Sequence, residues 1–382
     1  MRKRAAQKMT KDRRPQGADR APSAAEGHEL SPKATHFLRR SLAGYRPYVP
    51  GEQPPDGEDW VKLNTNESPL PPSPKVIAAI KAATDESLRL YPSPTAASAR
   101  QAIAAHFGLG AGQVGLGNGA DELIEMCFRA FAGAGDRVAY STPTYPLLDP
   151  LCRVHEATPS IHPTSEGWTW TPELVDDPAP LKFLVNPNSP TGTHHGRMSV
   201  ERVLARSQGV VVLDEAYVDF APESQLELVG RHPNLLILRT MSKSYALAGM
   251  RIGFALGNAQ LIAALDAVKD SYNLNRLAIV AAVAAIDEEV HHRKIVDYVV
   301  SERGWLEEQL RELGFEHSPS AANFVFVKPS RGPSAAAVAD ALRERRVLIR
   351  HYDREPIAGW FRITIGTRDQ HQKLLRALEE VL

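Results

Sequence analysis

The stretch RTMSKSYALAGMRIGF, residues 239–254, decides how the rest of this chain is interpreted. It places one lysine, Lys243, between a hydroxyl at Ser242 and a guanidinium at Arg251. An apolar run, LLIL at 235–238, precedes it, so the polar groups follow a predicted buried strand. A lysine that forms a Schiff base needs neighbours that hold an anionic cofactor beside it. Taken alone, the pattern also fits a surface loop with ordinary basic residues, so the other segments must decide.

The composition limits the classes of protein to which the chain can belong. Its 382 residues suffice for roughly two domains, and 43% hydrophobic and 24% charged residues are typical of a globular protein. Basic and acidic residues number 45 each, so the net charge gives no electrostatic argument for nucleic-acid binding. No apolar run approaches the length of a membrane span. Cys127 and Cys152 form no metal or redox pattern and fit a reducing cytoplasm, where we expect the protein.

The sequence suggests a division of the chain into successive regions. We expect residues 1–30, basic and rich in Ala, Pro and Gly, to form a disordered tail. The alternative is a gene start placed too early, since Met9 is a second possible start, and the absence of an apolar segment after MRKR argues against a secretory signal. Residues 31–75 predict an N-terminal arm that contributes to a smaller domain, 76–275 a large α/β domain, and 276–382 a small α+β domain.

Short apolar runs alternate with helical patterns through the predicted large domain. Several are rich in Val, Ile and Leu without alternation, as expected for strands covered on both faces. The predicted strands are QVGLG (113–117), DRVAYS (136–141), LKFLVN (181–186), GVVVLDEA (209–216), NLLILRT (234–240) and RIGFALG (251–257). This order predicts an α/β fold with a mainly parallel central sheet and helices on both faces. In the smaller domain we predict helices within 276–314, 334–346 and 368–382 and strands at 323–329, 347–352 and 360–366.

Three further segments place glycine or polar residues just after predicted strands, where open α/β sheets bind ligands. GNGADELI (117–124) opens a helix after two glycines, so free backbone N–H groups can face an anion. TPTYPLL (142–148) offers the ring of Tyr145 for stacking on an aromatic cofactor. In NPNSPTG, Asn188 and Ser189 can hydrogen-bond a ring hydroxyl. Each segment alone also fits a structural turn or a core residue.

The segment DEAYVDF (214–220) places Asp214 at the end of the apolar run VVVL. A carboxylate there is costly unless it is paired, and a protonated pyridine nitrogen is a suitable partner. Asp214 would hold that proton and make the ring an electron sink, with Tyr217 within reach of the ring oxygen. A strand-end Asp that caps the next helix is the structural alternative. Together with Lys243, the strand-end segments predict a site for pyridoxal 5′-phosphate (PLP). Without such a site, a separate structural explanation would have to hold for each of these segments at once.

Further segments extend this pattern along the chain: VKLNTNESPLPPSP (61–74), YPSP (91–94), PSAANFVFV (319–327) and FRITIGT (361–367). In order and spacing, all these segments resemble the fold-type-I, PLP-dependent aminotransferases of class I/II. Within that group the chain is most similar to the histidinol-phosphate aminotransferase branch. The resemblance runs from about Tyr45 to the C-terminus, and it implies the PLP-dependent transferase fold type I with PLP as cofactor.

The resemblance implies a role toward the cofactor for each matching residue. Lys243 matches the Schiff-base lysine, Asp214 the partner of the pyridine nitrogen and Tyr217 the donor to the ring oxygen. Tyr145 matches the stacking aromatic. The phosphate is held in the family by groups that match Ser242, Arg251 and the backbone of Ala120 and Asp121.

Two other matches concern the neighbouring subunit and the substrate. Tyr91 matches a tyrosine that reaches the PLP phosphate of the adjacent subunit, which implies a homodimer with shared active sites. Arg362 matches the arginine that clamps the substrate α-carboxylate, for which its planar fork is suited. One departure is present: Ser189 stands where the family has asparagine before Pro-Thr-Gly. Either the shorter Ser189 or the adjacent Asn188 would then serve the ring oxygen.

The implied reaction is transamination, in which a donor's amino group passes through the cofactor to 2-oxoglutarate. In the histidinol-phosphate branch a tyrosine and an arginine meet the donor's phosphate, and Tyr48 and Arg350 stand at the corresponding places. We therefore predict histidinol-phosphate:2-oxoglutarate transamination in L-histidine biosynthesis. The alternative activities are those of an aromatic amino-acid aminotransferase and of a threonine-phosphate decarboxylase. For Arg350, the alternative is a side chain that faces solvent.

A transcription regulator with an aminotransferase-like sensor domain is the alternative from another class of protein. Such regulators carry a DNA-binding domain ahead of this fold, and the tail at 1–30 is too short and lacks the apolar periodicity for one. We therefore expect small-molecule substrates and a homodimer, with neither nucleic-acid nor membrane partners.

Overall fold

The computed structural model describes residues 37–42, 44–45, 47–55 and 58–382. The tail predicted over residues 1–30 and the first part of the predicted arm lie outside the described residues. Within the described ranges, no helix combines the length and the apolar composition needed to cross a membrane.

Strands and α-helices alternate along the described chain, with short 3-10 turns between them. The strands are β1 (Val61–Leu63), β2 (Val114–Gly117), β3 (Arg137–Thr142), β4 (Thr158–Pro163), β5 (Leu181–Val185), β6 (Val210–Asp214), β7 (Leu235–Thr240), β8 (Gly253–Gly257), β9 (Phe315–Ser318), β10 (Phe324–Pro329), β11 (Val347–His351) and β12 (Phe361–Thr364). The α-helices are α1 (Pro74–Ala82), α2 (Ala97–His106), α3 (Ala120–Phe131), α4 (Leu148–Val154), α5 (Pro172–Val175), α6 (Arg197–Arg206), α7 (Ala259–Val268), α8 (Arg276–Ile286), α9 (Glu289–Glu312), α10 (Ala335–Glu344) and α11 (Arg368–Val381).

The larger sheet contains seven strands in the order β2-β8-β7-β6-β5-β3-β4. Strands β3 to β7 pair in parallel, while β8 is antiparallel to both β7 and β2. The strands predicted for this sheet are present with small shifts at their ends; the run at 209–216, for example, forms β6 over Val210–Asp214. The predicted α/β fold with a mainly parallel central sheet is therefore confirmed.

Hydrophobic side chains cover both faces of this larger sheet. Along β6, Val211 and Leu213 belong to one buried cluster and Val212 to another. Along β7, Ile237 and Leu238 divide between the same two clusters. Because both faces are covered, these strands consist of consecutive apolar residues without alternation.

The smaller sheet has five strands in the order β1-β11-β12-β10-β9. Strand β1 pairs in parallel with β11, while β11, β12, β10 and β9 pair antiparallel. Helices α9, α10 and α11 contribute to a third buried cluster with this sheet. The residues that follow β1 contact residues that follow strands of the larger sheet: Lys243 Nζ donates to the carbonyl oxygen of Thr65, and Asn66 Nδ2 donates to the Tyr217 hydroxyl.

Helix α8 lies beyond the domain boundary predicted at residue 275, yet it packs against α1 and α2. Its residues Ala278, Ala282 and Ile286 are buried in a cluster that includes strands of the larger sheet. We therefore propose that the unit built on the larger sheet extends to Ile286, because α8 buries its apolar face there and not against the smaller sheet.

Candidate active site

A cavity of about 550 Å³ lies where the carboxyl ends of β6 and β7 meet the start of α3 and the edge of the smaller sheet. Parallel strands end at one edge of a sheet, so residues that follow them in sequence converge there. Every site residue predicted from the sequence lines this cavity except Asn188 and Tyr91. Those that line it are Tyr48, Ala120, Asp121, Tyr145, Ser189, Asp214, Tyr217, Ser242, Lys243, Arg251, Arg350 and Arg362.

Lys243 follows β7 and enters the cavity as a partly buried amine. Its Nζ donates a hydrogen bond to the carbonyl oxygen of Thr65 at 3.4 Å and lies 5.8 Å from the ring centroid of Tyr217. Burial lowers the pKa of Lys243 to about 8, and the positive charge of Arg362 lowers it further. A substantial fraction of the amine is therefore neutral near physiological pH, the form that acts as nucleophile or base.

Asp214 ends β6, and its side chain is almost completely buried at 6% exposure. One carboxylate oxygen accepts the backbone N–H of Ala216 at 2.9 Å. Burial raises the pKa of Asp214 to about 7, and the nearby carboxylates of Asp121 and Glu215 raise it further. A buried carboxylate with so few donors is suited to a ligand that brings its own positive charge, such as a protonated pyridine nitrogen.

The start of α3 approaches β8 too closely for side chains at the contact. A Cβ at Gly253 would lie 2.5 Å from the carbonyl carbon of Gly119 and 2.6 Å from the backbone nitrogen of Ala120. Gly119 itself has a φ of +85°, which favours glycine. The first N–H groups of α3 therefore reach the cavity wall beside Ala120 and Asp121, where they can bind an anion.

Arg251 and Ser242 stand beside this helix start. Nη2 of Arg251 lies 3.2 Å from Oδ2 of Asp121, which accepts its hydrogen bond. The Ser242 hydroxyl lies 2.9 Å from Thr240 Oγ1 and lines the cavity. A guanidinium, a hydroxyl and helix N–H groups together form a set of donors suited to the PLP phosphate, so the residues present fit this cofactor.

Tyr145 and Tyr48 form an aromatic wall of the cavity. Their rings meet edge to face, with centroids 5.8 Å apart, and the Tyr145 hydroxyl donates to Oδ1 of Asp121 at 2.9 Å. Burial raises the pKa of both tyrosines, so both hydroxyls stay protonated at neutral pH. The wall offers a flat surface for an aromatic ligand.

Asn188 and Ser189 are adjacent in sequence but differ in what they face. The Asn188 amide accepts from Thr144 Oγ1 at 2.9 Å and donates to the carbonyl oxygen of Pro143 at 3.0 Å and to Thr191 Oγ1 at 2.9 Å. These bonds fix the loop and leave Asn188 outside the cavity lining. Ser189 lines the cavity, so of the two alternatives it is the residue placed to act there.

Arg362 extends from β12 into the cavity. Its Nη1 donates to the Ser189 hydroxyl at 3.1 Å and its Nη2 to the carbonyl oxygen of Asn64 at 2.9 Å. Its Nε is buried without a partner among the described residues. Since a buried donor without a partner is costly, this guanidinium retains capacity for an anionic ligand.

Arg350 lies on β11 directly opposite Arg362 in the antiparallel register. Its Nη1 and Nη2 donate to the carbonyl oxygens of Pro50 and Val49 at 3.4 and 3.3 Å. The side chain is partly buried and lines the cavity, so the alternative of a solvent-facing arginine does not describe this structure. The arm that contains Tyr48 thus closes over a pair of guanidinium groups.

Tyr91 lies outside the cavity, on the surface. Its ring is 78% exposed and stacks on Tyr272, with centroids 4.5 Å apart. The single chain therefore does not bring Tyr91 to its own site.

The segment Asn64–Glu67 has no role predicted from the sequence, although it lies within the motif at 61–74. In the structure the carbonyl oxygens of Asn64 and Thr65 accept from Arg362 and Lys243, and the Asn66 side chain donates to Tyr217. The only available signal was the run of polar residues directly after an apolar one at the end of β1.

The chain belongs to the aminotransferase class I and II family, whose model matches residues 58–378. It is 44% identical over 341 residues to histidinol-phosphate aminotransferase 1 of Methylococcus capsulatus, which covers 88% of this chain and 95% of that protein. It is 40% identical over 346 residues to the histidinol-phosphate aminotransferase of Geotalea uraniireducens, with 90% of this chain and 99% of that protein covered.

A solved structure of the family has the same fold. It is histidinol-phosphate aminotransferase from Sinorhizobium meliloti in complex with pyridoxal-5′-phosphate, with a TM-score of 0.80 and 28% sequence identity. The match covers 85% of this chain and 91% of that chain. The expected fold type is therefore confirmed.

Proposed function

We propose that this protein binds PLP and transfers the amino group of histidinol phosphate to 2-oxoglutarate, a step of L-histidine biosynthesis. The observation that carries the proposal is the pairing of Arg350 and Arg362 in the same cavity as Lys243 and Asp214. The relatives of similar length named as histidinol-phosphate aminotransferases support it.

The residues of the cavity divide between the two ends of the cofactor. When bound, PLP supplies a ring that withdraws electrons from the substrate carbon bearing the nitrogen. Asp214 would hold a proton at the pyridine nitrogen, and Tyr217 would donate to the ring oxygen. Arg251, Ser242 and the N–H groups at the start of α3 would bind the phosphate, because they are the donors present at that end.

Lys243 would bind the cofactor through Nζ and move protons at that atom. Because burial lowers its pKa to about 8, more of this amine than of an exposed lysine is neutral near pH 7 and able to accept a proton from the substrate carbon. The carbonyl oxygen of Thr65 holds Nζ at 3.4 Å, which orients the amine without changing its charge. Lys243 would hold that proton at Nζ until it is passed on.

The two arginines select substrates that carry an anion next to the reacting carbon. In histidinol phosphate a phosphate ester replaces the carboxylate of an amino acid, and in 2-oxoglutarate a carboxylate occupies that place. Arg362 can serve both anions, while Arg350 adds charge for the larger phosphate. A charged hydrogen bond contributes about 1.5–3 kcal/mol, which favours the phosphorylated donor about tenfold or more.

An aromatic amino-acid aminotransferase is the second candidate. It is favoured by the ring wall of Tyr48 and Tyr145 and by Tyr352, which also lines the cavity. An imidazole ring of histidinol phosphate fits the same wall, so the wall alone does not separate these substrates.

The half-reaction with purified protein tests the proposal. The PLP form is mixed with histidinol phosphate or with phenylalanine, and loss of the visible absorbance is followed in a stopped-flow instrument. We expect faster loss with histidinol phosphate and recovery of the absorbance with 2-oxoglutarate. Faster loss with phenylalanine would favour the second candidate, and release of CO₂ without consumption of 2-oxoglutarate would indicate a decarboxylase. Lys243→Ala, the control, should bind PLP without turnover.

We further propose a homodimer, located in the cytoplasm, in which Tyr91 reaches the neighbouring subunit's site. The exposed stack of Tyr91 on Tyr272 supports this assignment, because a large aromatic surface on one chain is suited to burial against another. Analytical ultracentrifugation tests the dimer; a monomer at the concentration of assay would contradict it.

A further inference from the structure

Asn66 occupies a buried position between the two sheets, with its side chain aimed at a residue of the cavity. It is 1% exposed, and its Nδ2 donates to the hydroxyl oxygen of Tyr217 at 2.9 Å. Its φ is +55°, a left-handed conformation that asparagine tolerates better than most residues. The left-handed backbone at Asn66 thus places its side-chain amide against the hydroxyl of Tyr217.

Thr364 determines which way the Asn66 amide points. The hydroxyl oxygen of Thr364 accepts the backbone N–H of Asn66 at 2.9 Å, so its own hydrogen is free to donate to Asn66 Oδ1 at 3.2 Å. That bond places the amide oxygen at Thr364 and the amide nitrogen at Tyr217. The backbone carbonyl of Asn66 accepts from Asn323 Nδ2 at 3.1 Å, which fixes the residue from a third side.

The Tyr217 hydroxyl accepts one hydrogen bond and retains its own hydrogen for donation. An amide NH₂ group only donates, so the Tyr217 oxygen accepts from Asn66 and keeps its hydrogen. Burial raises the pKa of Tyr217, so the phenol stays protonated at neutral pH. Tyr217 lines the cavity, where its hydrogen can be donated to a ligand.

We propose that Asn66 is a positioning residue, held by Thr364, that commits the hydroxyl hydrogen of Tyr217 to the ring oxygen of the cofactor. The inference rests on the proposed function, since it requires PLP in the cavity. Ser189 then acts beside Arg362, whose Nη1 donates to its hydroxyl at 3.1 Å.

The inference predicts a change in the titration of the bound cofactor. A hydroxyl that donates to the ring oxygen stabilises its negative charge, so a weaker bond raises the pKa at which the visible absorbance of bound PLP changes. Asn66→Gly removes the amide but keeps the left-handed backbone accessible. We expect it to raise this pKa by about one pH unit, and Tyr217→Phe, which removes the donor itself, to raise it at least as much.

A matched pair at Thr364 separates orientation from packing. Thr364→Val keeps the shape of the side chain but loses the hydroxyl, so the Asn66 amide is free to turn its oxygen toward Tyr217. Thr364→Ser keeps the hydroxyl and loses a methyl group. We expect the valine variant to titrate like Asn66→Gly and the serine variant like the wild type.

The decisive measurement is an absorbance titration of the holoenzymes without substrate. If Asn66→Gly binds PLP and titrates like the wild type, or if the two Thr364 variants titrate alike, the inference is overturned. A wild-type protein that shows no visible band with PLP would instead overturn the proposed function, and this inference with it.

Discussion

Arg350 and Arg362 face one another across the antiparallel strands β11 and β12, and both guanidinium groups line the same cavity. Directly opposite residues in such a pair lie close together, and like charges at that distance repel unless an anion separates them. Arg350 is held by carbonyl oxygens of the arm and Arg362 by Ser189 and Asn64. Arg362 Nε has no partner among the described residues, so this pair of arginines retains hydrogen-bonding capacity for an anionic group.

Removal of Arg350 should affect the phosphorylated donor selectively. We expect Arg350→Ala to lower kcat/KM for histidinol phosphate by about tenfold to a hundredfold, because a charged hydrogen bond to phosphate is lost. Exchange between glutamate and 2-oxoglutarate, which depends on Arg362, should change much less. Arg350→Lys is the matched control, since it keeps the charge without the fork. Equal losses of kcat/KM for histidinol phosphate and for glutamate would contradict a selective role of Arg350.

The amine of Lys243 should react at a lower pH than other lysines. Its pKa of about 8 lies below the ordinary value, so the neutral form appears as the pH rises through about 8. In cofactor-free protein, labelling of Lys243 by an acylating reagent, followed by mass spectrometry, should show that midpoint, against ~10.4 for exposed lysines. Arg362→Gln removes a neighbouring positive charge and should move the midpoint upward. An unchanged midpoint in that variant would show that Arg362 has no such effect.

A methyl group at Gly253 should weaken cofactor binding. The added Cβ would lie 2.5 and 2.6 Å from backbone atoms of Gly119 and Ala120, so the start of α3 must shift away from the phosphate site. We expect Gly253→Ala to raise the Kd for PLP about tenfold or more, in line with the cost of overpacking. Gly230→Ala is the control, because its Cβ would meet nothing within 4 Å. Equal PLP affinities of Gly253→Ala and Gly230→Ala, measured by fluorescence titration, would show that the close contact at Gly253 does not position the phosphate site.

The buried ion pair beside the site should matter for stability. Arg239 Nη2 lies 2.8 Å from Glu215 Oε2, and the side chains are 8% and 0% exposed. Glu215→Ala removes the nearer carboxylate and leaves the buried guanidinium with Asp219, whose Oδ1 lies 3.9 Å from Arg239 Nη1, so we expect the free energy of unfolding to fall by about 3 kcal/mol. Arg293→Ala breaks an exposed pair with Glu289 and should cost about 0.5 kcal/mol or less. Urea denaturation of the two variants would measure this contrast; similar losses would refute it.

Mixed dimers test the placement of Tyr91. Neither Lys243→Ala nor Tyr91→Ala alone should form a fully active enzyme. When the two chains are co-expressed with different tags, each mixed dimer has one site with both residues intact if Tyr91 serves the neighbouring subunit. We therefore expect activity to reappear in the doubly tagged fraction. If that fraction is no more active than the separate variants, Tyr91 does not act across the interface.

The sequence predicted those parts of the molecule in which short-range pattern and burial agree. The strands of the larger sheet have both faces covered, so their apolar runs identified them. Strand β4 has no such signal: its sequence TPSIHP contains two prolines and is partly exposed at the edge of the sheet. Helix α6 was likewise not predicted. Edge and surface elements are specified by their neighbours more than by their own sequence.

For the site, the sequence identified residues at strand ends but not the contacts between distant segments. Asp214 and Lys243 follow apolar runs and were recognised from that position. The choice between Asn188 and Ser189 required the hydrogen bonds of the loop, which a linear motif does not contain. The bond from Asn66 to Tyr217 depends on a turn after β1 that meets a different sheet, so no local pattern indicates it.

The hydrogen bond from Arg362 to the carbonyl oxygen of Asn64 joins residues 298 positions apart. During synthesis, Asn64 leaves the ribosome long before its partner exists. The strands of the larger sheet can pair and bury their side chains in that interval, while Arg362 has not yet been synthesised to bind Asn64. Enzymatic activity should therefore appear among the last events of folding. In a timed translation, the appearance of activity should report folding of the complete chain better than any measure of secondary structure does.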